Sequence, residues 1–325
     1  MDNKNRNNIE FETGSEWIVY FRLFIYNIKL SIEIFLYLIK QLFYGMWITI
    51  PEKDIRGQVA MITGSSNGLG RALSIEFAKR QCHLALVDMD EKNGKELEEF
   101  IRNSYKIKVK FYKADISIYE NVEKLKSDIE RDIGHIDILI NNAGIMQSVQ
   151  TLNPKRTPNE ISKLIDVNLK ASIWAVKIFL PGMIERKRGH IIATCSLTSL
   201  LSSAFLLDYS ASKQGLKGFM DSLYFELLVK GYSDIIKTSM ICPTLVLTSD
   251  SVIKTIKGTK VYHNIYPWSP ERAAKTAIKA VLKNERLIVL PSVYKLSMIF
   301  NLIPDDAKTK TLKRLLNVDP SGFEE

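Results

Sequence analysis

Cysteine is scarce in this chain: Cys82, Cys195 and Cys242 are the only three in 325 residues. An odd count at such wide spacing argues against a disulfide framework and a zinc site, and it points to a reducing compartment for the folded part. Each cysteine lies in an apolar stretch, where a thiol serves as a small buried hydrophobe. A cleavable signal peptide is also missing. The first 16 residues are polar, the apolar stretch after them is too long, and no small-residue cleavage site follows it. There is no internal repeat and no low-complexity linker. Basic residues outnumber acidic ones by 45 to 36, a net charge of +9. The lysines of the C-terminal third (Lys254, Lys257, Lys260, Lys275, Lys279, Lys283) sit in no nucleic-acid signature. The reading is therefore no nucleic-acid partner, and a solvated or membrane-facing surface for the charge. With 46% hydrophobic and 25% charged residues, the totals suggest neither disorder nor a multi-span membrane protein.

The pattern divides the chain into a polar N-terminus at 1–16, an apolar aromatic-rich segment at 17–50, a long body at 51–290 and a basic helical tail at 291–325. No part of 17–50 is a long uncharged run, because Arg22, Lys29, Glu33 and Lys40 interrupt it. On a helix, steps of 7, 4 and 7 residues place those four charges within about 40° of one another. Tyr26, Tyr37 and Tyr44 fall near the same stripe, and the rest of the circumference is Ile, Leu, Phe and Trp. That is the pattern of a helix lying in a bilayer interface. Its 34 residues would reach roughly 50 Å, against a hydrocarbon layer of about 30 Å, so a hairpin or an in-plane helix fits better than a simple crossing. Docking on the protein itself or on a second copy is the alternative.

After Pro51, short β-branched runs alternate with longer amphipathic stretches, the signal of βα units and a parallel sheet. Strands are expected at 59–63, 83–87, 108–112, 136–140, 190–194, 236–242 and 286–290, with helices at 69–80, 91–104, 118–133, 159–183, 209–232 and 269–284. The last helix opens on Ser269, Pro270 and Glu271, an N-cap, a first-turn proline and an early acid. The predicted fold class is α/β: a single Rossmann-type doubly wound sheet of seven parallel strands, preceded by a membrane-associated helix.

Three clusters carry chemistry. The run Thr63, Gly64, Ser65, Ser66, Asn67, Gly68, Leu69, Gly70 lies between the first strand and the first helix of the body. A glycine turn there lets backbone N–H groups and the helix N-terminus approach a pyrophosphate. Asp88 ends the second strand, where a carboxylate accepts the adenosine ribose hydroxyls and repels a 2′-phosphate. No Arg or Lys lies within the glycine turn, and Asn67 stands before Gly68. The expected cofactor is NAD rather than NADP, unless Asp88 is only a turn or cap residue. The third cluster is Ser196, Tyr209 and Lys213, with Tyr209 and Lys213 four apart on one helix face. Tyr209 is the candidate acid/base. A phenol of pKa about 10 must be shifted by up to about three units to work near pH 7, and Lys213 together with an oxidised nicotinamide offers the positive charge. Ser196 is placed to hydrogen-bond the substrate oxygen.

These pieces together resemble the short-chain dehydrogenase/reductase superfamily over 51–290: the glycine turn, Asp115 after the third strand, Asn141-Asn142-Ala143-Gly144 after the fourth, Asn168, Ser196, and Tyr209-Ser210-Ala211-Ser212-Lys213. The resemblance implies that Asp115 and its neighbour Ile116, with Asn142, Ala143 and Gly144, line the cofactor. It also implies that Asn168 holds a proton-relay water near Lys213, and that Thr248 touches the nicotinamide side. The residue after Pro243 departs from the family's glycine, being Thr244. The N-terminal apolar segment and the final strand with its basic tail are similar to the membrane-anchored hydroxysteroid and retinol dehydrogenase branch. That likeness implies an apolar alcohol or ketone as substrate, residence on endoplasmic reticulum or lipid droplet with the body facing the cytosol, and a homodimer. The stretch from Leu245 to Trp268 would form a substrate lid, its Tyr262, Tyr266 and Trp268 either facing a lipid or simply packing. A nucleotide-binding scaffold without turnover is the rival from another class.

Overall fold

A computed structural model describes residues 16–47, 50–146, 151–203, 206–248 and 267–302. The backbone contacts divide the chain into two units, Met1–Pro51 and Glu52–Glu325. In the first, Glu16–Trp47 forms one α-helix of 32 residues, α1. Among its described side chains, Tyr20, Phe21, Phe24, Tyr26, Phe35 and Leu36 each keep more than half of their surface open.

In the second unit the chain alternates strand and helix. The order is β1 Val59–Thr63, α2 Gly68–Lys79, β2 His83–Asp88, α3 Glu91–Ser104, β3 Val109–Lys113, α4 Tyr119–Asp132, β4 Ile138–Asn141, α5 Pro158–Ile165, α6 Ala171–Glu185, β5 Gly189–Thr194, α7 Leu207–Val229, β6 Ile236–Pro243, α8 Pro270–Leu282 and β7 Leu287–Leu290. The seven strands form one parallel sheet in the order β3-β2-β1-β4-β5-β6-β7. The progression of strand order reverses between β1 and β4 while all strands stay parallel, and in such sheets ligands bind outside the carboxyl ends of the strands at that switch point.

Alternation along the strands fills both faces. Ala60, Ile62, Leu84 and Leu86 join Leu73, Phe77, Leu97, Ile101, Ala274 and Ile278 on the side of α2, α3 and α8. Met61, Ala85, Val87 and Leu139 join Val122, Ile129, Phe179, Met183, Leu216 and Met220 on the side of α4, α6 and α7. A parallel sheet covered on both faces needs such near-continuous apolar strands.

Two expectations are corrected in detail. The helix expected at 159–183 is two α-helices joined by a π-helical turn, Asp166–Lys170. The fourth strand begins two residues late, because Ile136 is buried without joining the ladder. Of the tail at 291–325, Ser292–Leu302 is a 3-10 helix, and residues 303–325 lie outside the described residues. The lid stretch is likewise outside from 249 to 266, which takes in Tyr262 and Tyr266. Trp268 is described and packs as a core residue, 8% exposed, with the Arg272 guanidinium 4.3 Å from its ring centre.

Candidate active site

The glycine turn and the loop after β4 meet at the switch point. Thr63 Oγ1 accepts from the backbone N–H groups of Asn142 and Ala143, each at 3.0 Å. Asn142 Nδ2 donates to the carbonyls of Thr63 (3.0 Å) and Gly64 (3.2 Å). The approach leaves no room for side chains. A Cβ on Gly70 would stand 1.9 Å from the Gly64 carbonyl oxygen, and one on Gly64, whose φ is +64°, would stand 2.8 Å from the Ala143 Cα. Gly68, at φ +52°, would meet the Thr248 Cβ at 2.8 Å, so Thr248 closes over the start of α2. Asn67 sits at the N-cap of α2 and makes no side-chain cap hydrogen bond. The first-turn N–H groups of Gly68, Leu69 and Gly70 are thus left for an anion, as a pyrophosphate requires.

Asp88 lies beside that turn. Its carboxylate accepts from the backbone N–H of Ser66 (2.9 Å) and of Asp90 (3.0 Å). Asp90 caps α3 through Asn93 and accepts from Asn67 Nδ2 at 2.9 Å, which draws a second acid to the same edge. These hydrogen bonds set two carboxylates at the edge of the lysine-free glycine turn. Asp115 accepts from the Ser117 N–H (2.9 Å) and hydroxyl (2.6 Å) and borders a recess of about 560 Å³ lined by Met89, Phe111 and Leu125 together with Lys113, Lys124 and Asp128. Ile116 is half-buried against the α4 side of the core. The residues present therefore fit a dinucleotide: phosphate donors at α2, carboxylate at β2 and a recess of mixed polar and apolar lining at β3.

The reacting groups stand at the ends of β5 and α7. Ser196 neighbours the Tyr209 phenol closely enough to draw its pKa down, and the Ser196 Oγ accepts from the Thr198 N–H at 3.2 Å, which fixes it at the head of a short 3-10 turn. Lys213 is buried and donates to the Thr194 carbonyl at 2.9 Å, with Nζ 5.9 Å from the Tyr209 ring centre. Thr194 Oγ1 in turn donates to Asn142 Oδ1 at 3.1 Å, so one chain of hydrogen bonds runs from the glycine turn to Lys213. A Cβ on Gly144 would lie 3.2 Å from Lys213 Nζ and 3.3 Å from Asn168 Oδ1, which sets those two groups on either side of a glycine.

Asn168 occupies the π-helical turn. Its amide donates to the Ile145 carbonyl (2.9 Å) and to Ser212 Oγ (3.0 Å), and its carbonyl oxygen accepts from the Ile145 N–H (2.8 Å). The side chain is spent on fixing the loop after β4. Burial pushes the Tyr209 phenol up and the Ser196 hydrogen bond draws it down, while burial pushes the Lys213 ammonium down.

Sequence reasoning missed a further group here. Arg156 and Asp208, one residue before Tyr209, form an ion pair of 2.7 Å whose side chains are each 4% exposed. Residues 52 positions apart carry no periodic signal, so nothing in the pattern announced it.

Comparison with known proteins places this geometry. The profile of the family described as short chain dehydrogenase matches residues 58–256. Retinol dehydrogenase 10-B of Danio rerio is 34% identical over 287 residues, covering 80% of this chain and 83% of that protein. Among solved structures, a short chain dehydrogenase/reductase from Burkholderia phymatum in complex with NAD superposes with a TM-score of 0.67 at 22% identity, over 75% of this chain and 94% of that one. A metagenomic short-chain oxidoreductase in complex with NADP gives 0.59 at 26% identity, over 73% and 96%.

Proposed function

Because the chain belongs to the short chain dehydrogenase family and is thus an oxidoreductase dependent on a nicotinamide dinucleotide, we propose that it oxidises an apolar alcohol, a retinoid first among candidates, with NAD and with Tyr209 as acid/base. The observation that carries this reading is buried Lys213, anchored on the Thr194 carbonyl with its Nζ 5.9 Å from the Tyr209 ring centre, with Ser196 beside the phenol. A retinol dehydrogenase among the relatives supports the substrate class. So do the exposed Ile145, Met146, Leu152 and Leu207, which follow β4 or immediately precede the Asp208–Tyr209 pair.

The groups divide the work. The first turn of α2, Asp88 and the recess at Asp115 would hold the cofactor, with Asn142, Ala143, Gly144 and Thr248 along its course. The bound nicotinamide supplies the hydride acceptor. Ser196 donates a hydrogen bond to the substrate oxygen, and its position is held by Thr198 before any substrate arrives. Tyr209 takes the hydroxyl proton. Lys213, anchored on Thr194, keeps a cation near the phenol and favours its ionised form. A base must be ionised to act, and burial raises this phenol, so alcohol oxidation is lost as pH falls and carbonyl reduction gains on the acid side. Asp88, reinforced by Asp90 and opposed by no basic residue in the turn, is the reason for choosing NAD. The exposed apolar face of α1 is the reason for placing residues 17–50 at a membrane, and the resemblance to the anchored branch suggests endoplasmic reticulum or lipid droplet.

The test is cofactor reduction by the full chain in detergent against retinol, steroid alcohols and long-chain alcohols, with NAD and NADP in parallel. Turnover with NAD, lowered by about 10²-fold or more in Tyr209→Phe, is expected. Equal turnover with NADP would overturn the assignment of Asp88, and an active Tyr209→Phe that of Tyr209.

A further inference from the structure

The Arg156–Asp208 pair lies outside the groups assigned above, yet it is built into the start of the helix that carries Tyr209. Asp208 Oδ1 accepts from the Tyr209 N–H at 2.9 Å and from Thr151 Oγ1 at 3.1 Å, while Oδ2 accepts from Arg156 Nη2 at 2.7 Å. The same guanidinium group donates to the Glu160 carbonyl at 3.4 Å. Three segments are thereby tied through one ion pair: Thr151 and Arg156 from the stretch after β4, the first turn of α5 by way of the guanidinium, and the first turn of α7. The Arg156 Nε, also buried, finds no acceptor among the described residues.

This arrangement is a poor way to gain stability. A buried ion pair loses in desolvation much of what it gains in attraction, and apolar residues of the same volume hold a fold at least as well. An unsatisfied buried donor adds to the cost. What the pair does supply is direction. An acid in the first turn is favoured by the helix dipole, and its two oxygens, engaged on different partners, prevent that turn from rotating. The next residue is Tyr209, whose hydroxyl must meet Ser196.

Resting on the assignment of Tyr209 as acid/base, we propose that Arg156 is a positioning residue for the reaction: through Asp208 it fixes the first turn of α7, and with it the Tyr209 phenol, against the segment that follows β4. The guanidinium touches neither substrate nor cofactor and acts only through Asp208. Without it the carboxylate is left buried and uncompensated, and it must either take up a proton or pull the turn toward water.

The experiment uses the full chain in detergent, with retinol and NAD, and compares wild type with Arg156→Met, Arg156→Lys, the double variant Arg156→Met/Asp208→Asn, and Tyr209→Phe. For each, kcat, KM, the Kd for NAD and Tm are measured. Loss of positioning by a fraction of an ångström is expected to lower kcat of Arg156→Met by about 10- to 100-fold, with the NAD Kd changed by no more than about threefold. Arg156→Lys keeps the charge without the planar fork and should fall between the two at unchanged Tm. It serves as the measurement if Arg156→Met does not fold. The double variant, in which the amide oxygen still accepts from the Tyr209 N–H and no lone charge is buried, should recover part of kcat. A pair that served stability alone would lower Tm and leave kcat of the folded fraction at the wild-type value; that result in Arg156→Met or Arg156→Lys, with Tyr209→Phe inactive, overturns the proposal. Full activity in Tyr209→Phe would instead remove the reading of the site on which it stands.

Discussion

The Lys53 ammonium is packed at 2.7 Å against Nδ1 of His190, whose ring is buried at the start of β5. Ser239 Oγ donates to the Glu285 carbonyl at 2.6 Å and so accepts from His190 Nε2–H at 2.9 Å, which leaves Nδ1 as the acceptor for the lysine. Burial, together with Lys53 and Lys237, holds the imidazole well below its ordinary range, hence neutral. Burial and Lys237 bring the Lys53 pKa down to about 8. The unfolded chain then binds more protons than the folded one between about pH 8 and 10.5, so this group's penalty is relieved as pH rises through that window. Unfolding free energy of the wild type measured against Lys53→Met should gain up to about 3 kcal/mol from pH 8 to 10.5. A difference that stays flat across the window would show that the lysine is not held in this way.

At the scale of elements, the contact between α3 and β3 depends on one missing side chain. Gly94 lies on the buried face of α3, and a Cβ there would stand 2.1 Å from the Phe111 ring. Gly94→Ala therefore overpacks the joint and should lower stability by about 1–3 kcal/mol despite alanine's better helix propensity, with recovery in Gly94→Ala/Phe111→Leu. Chemical denaturation measures both, and a stabilised single variant would contradict the packing described. The strands and helices were largely legible because their cause is local: β-branched runs such as Val59 to Thr63, covered on both faces, and amphipathic stretches such as Glu91 to Ser104. The π-helical turn around Asn168 was not, since residues 159–183 read as one continuous helix while Asn168 reaches across to Ile145 and Ser212. For the candidate site, the sequence supplied the residue types and their order. It did not supply the engagement of Asn168 on the β4 loop, the pairing of Asp88 with the Ser66 and Asp90 backbone, or the Arg156–Asp208 bond, because each joins residues whose separation has no period.

The chain carries two units: one is a helix whose described apolar side chains are exposed, and the other an α/β unit with its crevice at the switch point. Among the described residues the stretch long and apolar enough to cross a membrane by length and composition is Pro158–Glu185. Half of its most apolar window is buried, and Phe179 and Met183 belong to the core, so it is a helix of the body. Membrane attachment through residues 17–50 predicts that the full chain stays with membranes in alkaline carbonate extraction while residues 51–325 alone are released. Equal retention of both would place the attachment elsewhere.

Hydride transfer from an apolar alcohol to NAD, under the control of Tyr209, is the central claim, and the fate of one labelled hydrogen tests it most directly. Retinol carrying deuterium on its alcohol carbon is incubated with the full chain and NAD, and the reduced dinucleotide is analysed by mass. The account predicts deuterium in NADH with the wild type and none above background with Tyr209→Phe, although both bind NAD. Binding of NAD by the wild type with no transfer of label from retinol or from the other apolar alcohols would contradict it.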